Sequence, residues 1–312
     1  MDQIQHKFIE VKGLKLHVAE IGSGPNVVVF LHGFPEIWYS WRHQMVAVAE
    51  AGFQVLAPDF RGYGLSDPPP EPEKASFGDL IEDLGALLDA LAIDKVFLVA
   101  KDFGAFVAFL FSLLHQERVQ GVMTLGFPHR SPSHLLKYHE HLPEGFYISR
   151  WQEPGRAEAD FGRLDAKTVV RNIYILFSRS EIPIAAENQE IMDIVDPSTP
   201  LPSWFTEGDL EEYGSLYRKS GFRTALQVPY RSIKEDLGIT DYIVKVPALL
   251  VMGEKDYAFK FAGAEEYVRS GKVKEFVPQL EIVFAPEGTH FIQEQSPDVV
   301  NQLILDFLKK HI

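Results

Sequence analysis

The 312 residues carry a formal net charge of −14, 46% hydrophobic and 24% charged side chains, and no cysteine. Such an acidic balance repels the phosphates of nucleic acid and of anionic membrane surfaces, so neither is expected as a partner. The lack of cysteine excludes disulfides, thiol catalysis and Cys-ligated zinc, and the length suits one large α/β domain carrying an insertion. The start MDQIQHKFIE has no apolar signal region and no apolar run reaches membrane-spanning length, which makes a soluble, cytoplasmic protein the expectation.

Strand and helix signals alternate along the chain. HKFIEVKGLKLHVAEIG reads as two strands joined by a Lys-Gly turn, an antiparallel hairpin. NVVVFLHG, QVLAPD and KVFLVAKD follow as continuous apolar runs, suited to strands buried on both faces. GVMTLGFP, VPALLVMGEKD and LEIVFAPEGTH bring the strand count to eight. Between them, SFGDLIEDLGALLDALAI offers Ser76 as a cap and places Leu80, Leu84, Leu87, Leu88 and Leu91 on one helical face. At the end of the chain Ser296 is a natural N-cap and Pro297 suits the first helical position. Val300, Leu303, Ile304 and Phe307 form the stripe to be buried there. The sum is an α/β fold, a mostly parallel eight-stranded sheet with helices on both faces.

From residue 129 to 235 the strand signal lapses. AKTVVRNIYILF fits a buried helix, and Thr206 and Asp209 form a capping-box pattern ahead of another. We read 129–235 as a helical cap inserted between core segments 1–128 and 236–312. Ligand crevices of open α/β sheets lie at the carboxyl ends of the strands, so a cap over that edge would make a dry pocket.

LVAKDFGAF sets Asp102 between a strand and a helix, with small residues Ala100 and Gly104 two positions to either side. That is the spacing of a nucleophile elbow, here with a carboxylate as nucleophile. The plainer reading makes Asp102 a helix cap. Lys101 either supports the neighbouring carboxylate with its charge or points to solvent. Downstream, Asp256 and His290 each follow a strand, and nucleophile, acid, histidine is the chain order of α/β-hydrolases. Glu254 competes with Asp256 as the orienting acid. In LHGFPEIWYSWRHQ, His32 reads as structural, while the N–H of Phe34 and that of Phe103 are candidates for an oxyanion hole.

Taken together, HGFPE, DFRGYGLSD, KDFGA and RWQEPGRAEADF, with Asp256 and His290 placed as above, resemble the soluble epoxide hydrolases, particularly those of plants. The resemblance spans nearly the whole chain and implies the α/β-hydrolase fold with a helical cap. It also implies two cap tyrosines that hydrogen-bond the epoxide oxygen. One lies four residues before the aromatic of the WQEPG segment, here Tyr147. The other directly precedes an Arg after SGFR, here Tyr230. A phenol is suited to protonating an alkoxide leaving group at neutral pH. From the residues alone, Tyr213 and Tyr217 are equally open as cap acids. The elbow departs from the family's usual Gly-His-Asp-Trp-Gly, since it reads Ala100-Lys101-Asp102-Phe103-Gly104.

The expected reaction is epoxide to vicinal diol through a glycol monoester on Asp102, with a small apolar epoxide and water as the only partners. The protein would work as a monomer or homodimer, and no metal or organic cofactor is called for. His139 and His141 are two apart, a poor helical spacing for one metal. Two rivals remain. A haloalkane or haloacid dehalogenase would use the same Asp, although Phe34 and Phe103 lack the side-chain N–H groups that hold halide. A non-catalytic small-molecule receptor could keep the fold without turnover.

Overall fold

The computed structural model describes residues 3–130, 143–233 and 235–312. Its eight strands are β1 (Gln5–Val11), β2 (Leu14–Ile21), β3 (Val27–Leu31), β4 (Gln54–Pro58), β5 (Val96–Lys101), β6 (Val119–Leu125), β7 (Ala248–Gly253) and β8 (Leu280–Ala285). They form one sheet in the order β1-β2-β4-β3-β5-β6-β7-β8. Only the opening hairpin is antiparallel, β1 to β2 and β2 to β4, and every later pairing is parallel. The continuous apolar runs mark interior strands: each residue of β3, β5 and β7 is buried, whereas at the edges β1 is largely exposed and β8 largely half-buried.

Helices α1 (Arg42–Glu50), α2 (Phe77–Ala90) and α3 (Phe103–Leu114) follow β3, β4 and β5. Ser76 caps α2 through a reciprocal box with Asp79, and Leu80, Leu84, Leu87 and Leu88 are buried as their spacing requires. Leu91 lies just past the helix and is half-buried. Between β6 and β7 the described residues hold α4 (Tyr147–Gln152), α5 (Arg156–Phe161), α6 (Ala166–Phe177), α7 (Glu207–Ser220) and α8 (Arg223–Leu226), and no strand. Thr206 and Asp209 form the box that starts α7.

After β7 come α9 (Ala264–Arg269), α10 (Ile292–Gln295) and α11 (Pro297–His311). α1 packs with α11, and α2 with α3, against the sheet. In α11 Val300, Ile304 and Phe307 are buried and Leu303 is half-buried. One cap differs from expectation: Ser296 stands at the start of α11 but its side chain makes no capping bond. The chain enters directly from α10, and the Ser296 N–H already bonds Ile292 O at 2.8 Å. No helix among the described residues is long and apolar enough to cross a membrane.

Candidate active site

Because β3, β5, β7 and β8 run parallel, their carboxyl ends deliver the loop after Leu31, Asp102, Asp256 and His290 to one edge of the sheet. Asp102 sits between β5 and α3 with φ 51° and ψ −130°, a conformation that side-chain-bearing residues rarely hold. Its carboxylate makes no capping bond to α3, so the plain reading of a helix start does not hold. It is turned instead toward the loop after β3, where the Phe34 N–H donates to Oδ1 at 3.1 Å.

The elbow is possible only because its neighbours are small. A Cβ on Gly104 would fall 2.4 Å from His32 O, and one on Gly33 would fall 2.4 Å from Asp102 Cβ. His32 is buried and structural, since its Nε2 accepts from the Phe60 N–H at 3.1 Å, which requires the neutral ring. Burial lowers the His32 pKa, in keeping with that state. Phe103 opens α3, so its N–H has no acceptor within the helix. The Phe34 N–H thus bonds the Asp102 carboxylate, and the Phe103 N–H belongs to the residue directly after it.

His290 Nδ1 lies 3.1 and 3.2 Å from the two carboxylate oxygens of Asp256. Its Nε2 is buried without a hydrogen-bond partner among the described residues, 3.6 Å from Asp102 Oδ2. Burial alone would raise the Asp256 pKa, but His290 and Lys101 outweigh it and the net shift is downward. Asp256 is therefore a fixed anion behind the imidazole. Glu254 is ruled out as that partner by its position, because it pairs with Arg269 at 2.6 Å at the surface.

Lys101 does not reach solvent. Its side chain is fully buried with Nζ 3.9 Å from Glu36 and 5.0 Å from the centre of the Phe291 ring. Successive strand residues point to opposite faces, which carries Lys101 beneath the elbow, toward Glu36. Burial pushes the Glu36 pKa up to about 7, with Lys101 acting in the opposite direction. Glu36 accepts from the Gly33 N–H at 3.1 Å and from the Gln293 amide, so Glu36 braces the loop that carries Phe34, while Lys101 Nζ makes no hydrogen bond among the described residues.

Above this edge Tyr147 and His290 line the same pocket as Asp102, together with the apolar side chains of Phe127, Met252, Phe261 and Val268. Tyr230 is not among the residues lining this pocket but packs beside it, with its ring 5.5 Å from those of both Phe34 and Phe103 and 5.0 Å from Trp151. Burial, then the nearby Tyr147 and Asp102, push its phenol well above pH 10. The residue after it explains its position. The Arg231 guanidinium forks onto Glu158 at 2.6 and 2.7 Å and reaches the Trp151 carbonyl at 3.2 Å, tying Tyr230 to α4 and α5.

The other two tyrosines left open by the sequence lie elsewhere. Tyr213 bonds Glu294 and Tyr217 stacks on Phe222. His139 and His141 fall outside the described residues. Sequence reasoning passed over Glu36, although it sits within HGFPE, and Tyr257, whose hydroxyl lies 3.0 Å from that of Tyr147. The Tyr257 position next to Asp256 was the one available signal.

Comparison with known proteins agrees with this geometry. The family described as alpha/beta hydrolase fold matches residues 26–297. Epoxide hydrolase 2 of Siraitia grosvenorii is 39% identical over 99% of this chain and 100% of its own. Epoxide hydrolase from Vigna radiata superposes with a TM-score of 0.91 at 36% identity, covering 99% of each chain. Potato epoxide hydrolase I does so at 0.89 and 35%, covering 98% of this chain and 99% of its own. With its sheet order, its carboxylate elbow and likeness over full length, this chain belongs to the α/β-hydrolase family and groups there with the plant epoxide hydrolases.

Proposed function

We propose that the protein hydrolyses epoxides to vicinal diols, with 1–128 and 236–312 as catalytic core and 129–235 as a cap that supplies the acids. The observation that carries this reading is the sharing of one pocket by the strained Asp102, the Asp256-backed His290 and Tyr147. A neutral epoxide needs a nucleophile on one side and hydrogen-bond donors at its oxygen on the other.

In the first step Asp102 forms a bond to one oxirane carbon as the C–O bond there breaks. Tyr147 and Tyr230 donate to the leaving oxygen, which takes up a proton and remains attached as a hydroxyl. In the second step His290 Nε2 removes a proton from water, and the hydroxide adds to the ester carbonyl carbon. The N–H groups of Phe34 and Phe103 hold the oxyanion until the ester C–O bond breaks. His290 then returns its proton to the departing alkoxide to give the diol, and the proton left on the added oxygen restores the phenol as the carboxylate returns. The Phe34 N–H already bonds an Asp102 oxygen at 3.1 Å, so that donor is in position before the charge develops.

Against dehalogenation, Phe34 and Phe103 offer only backbone N–H groups beside Asp102. Trp151 carries a buried indole Nε1 without a partner among the described residues, so halide release belongs in the test. Styrene-type, terpenoid and fatty-acid epoxides should give diols. His290→Gln should be alkylated but not hydrolysed, leaving protein heavier by one epoxide in a mass spectrum. Halide release without diol, or a ligand bound tightly and returned unchanged, would overturn the reading.

A further inference from the structure

Tyr257 is the first residue after Asp256 and opens the 257–260 turn, for which the Asp256 side chain accepts from the Ala258 N–H at 2.9 Å. It is 1% exposed and lines the same pocket as Asp102 and Tyr147. Its ring lies 4.9 Å from that of His290 and 4.8 Å from that of Phe177. The hydroxyl reaches across to that of Tyr147 at 3.0 Å. Most aromatic side chains walling such a pocket need only be apolar. Here the oxygen is directed at the one group on this wall that the proposed reaction uses as an acid.

We infer that Tyr257 is a positioning residue for epoxide opening: its O–H donates to the oxygen of Tyr147 and so aims the Tyr147 proton at the epoxide. The inference rests on the reading of Tyr147 as an opening acid. Each phenol has one proton. If Tyr257 supplies the proton of the 3.0 Å hydrogen bond within the pair, the Tyr147 proton is not spent on Tyr257. As that proton shifts toward the opening oxygen, charge grows on the Tyr147 oxygen and the bond from Tyr257 strengthens. Tyr257 gives up no proton in the cycle. It acts only in opening, because ester hydrolysis draws on His290 and the N–H groups of Phe34 and Phe103.

Tyr257→Phe tests this, since it removes one oxygen and keeps the ring contacts. Ester formation and ester decay are followed separately with styrene oxide in single turnovers, by rapid quench and mass spectrometry of the protein. Ester formation should slow about three- to thirty-fold, the span of one hydrogen bond, and decay should stay within about twofold. In a Tyr147→Phe background, Tyr257→Phe should add less than about twofold to the loss, because its effect passes through the missing hydroxyl. An equal loss in both backgrounds, or slowed decay, would overturn the inference and make Tyr257 a packing residue. Unchanged ester formation in Tyr257→Phe, with the parent protein active, would also overturn it while leaving the proposed function intact. A parent protein that forms no ester would instead bring down the proposed function, and this inference with it.

Discussion

Among the described residues, two buried carboxylate clusters are finished differently. Glu294 on α10 accepts from Arg42 at 2.6 Å, from Tyr174 at 2.8 Å and from Tyr213 at 3.3 Å through both oxygens. Arg42 then reaches Asp209 at 2.9 Å, which also takes the Tyr39 hydroxyl at 3.1 Å. Oxygen and donor are matched throughout, and the cluster ties α1 and α10 to α6 and α7. Asp102 takes one hydrogen bond, from the Phe34 N–H, on a strained backbone, and His290 Nε2 beside it bonds nothing among the described residues. A saturated cluster is a strut. An unsaturated one facing a pocket retains the capacity to bind and react, at a cost in stability.

Substitutions should therefore separate activity from stability along this line. The largest effect is expected for Asp102→Gly, which should lower diol formation by about 10⁴-fold or more. The same change relieves the positive φ and should raise stability by about 1 kcal/mol in chemical denaturation. A destabilised Asp102→Gly variant would erase the contrast. Glu294→Ala should do the reverse, since it leaves Arg42 and two phenols partly unpaired. A stability loss of about 3–5 kcal/mol is expected, with turnover by the folded fraction little changed. Collapse of turnover in the folded protein would show that the strut also shapes the site.

Next in size are the two phenols proposed as acids. Tyr147→Phe and Tyr230→Phe should each slow ester formation by about ten- to a thousand-fold and spare ester decay. Alkylation at the parent rate in both variants would move the acids elsewhere. The pH profile sharpens the point for Tyr230, which must be protonated to donate. Its pKa is held well above 10 by burial, so ester formation should persist as pH rises past 10, where an exposed phenol would already have ionised. A fall centred below pH 10 would deny Tyr230 the donor role. The smallest effect is expected for Tyr213→Phe, which loses the two 3.3 Å contacts to Glu294 and its contact with the Tyr174 hydroxyl. It should cost about 1 kcal/mol of stability and less than about twofold in rate.

What the sequence reveals follows from how local each cause is. Strand runs, the Ser76 and Thr206 caps and the small residues flanking Asp102 are set by neighbours a few positions away, and all of these are readable. Asp256 and His290 are readable because each must follow a parallel strand. Tyr147 and Tyr230 were chosen through family resemblance, since nothing in their own segments distinguishes them from Tyr213 and Tyr217. The burial of Lys101 against Glu36 joins residues 65 apart, and the Arg42–Glu294 bond spans 252. Pairings at that range leave no local pattern. Ser296 shows the opposite error, a sound local signal overruled because α10 runs straight into α11.

The central claim is that Asp102 attacks the epoxide, and isotope transfer tests it most directly. One turnover in heavy-oxygen water, with enzyme in excess over epoxide, should give mostly unlabelled diol and leave label in the peptide containing Asp102. The oxygen added to the substrate then comes from the carboxylate, and water replaces it through the ester carbonyl. Later turnovers should release labelled diol. Labelled diol in the first turnover, with an unlabelled Asp102 peptide, would contradict the account and assign the chemistry to water acting directly on the epoxide.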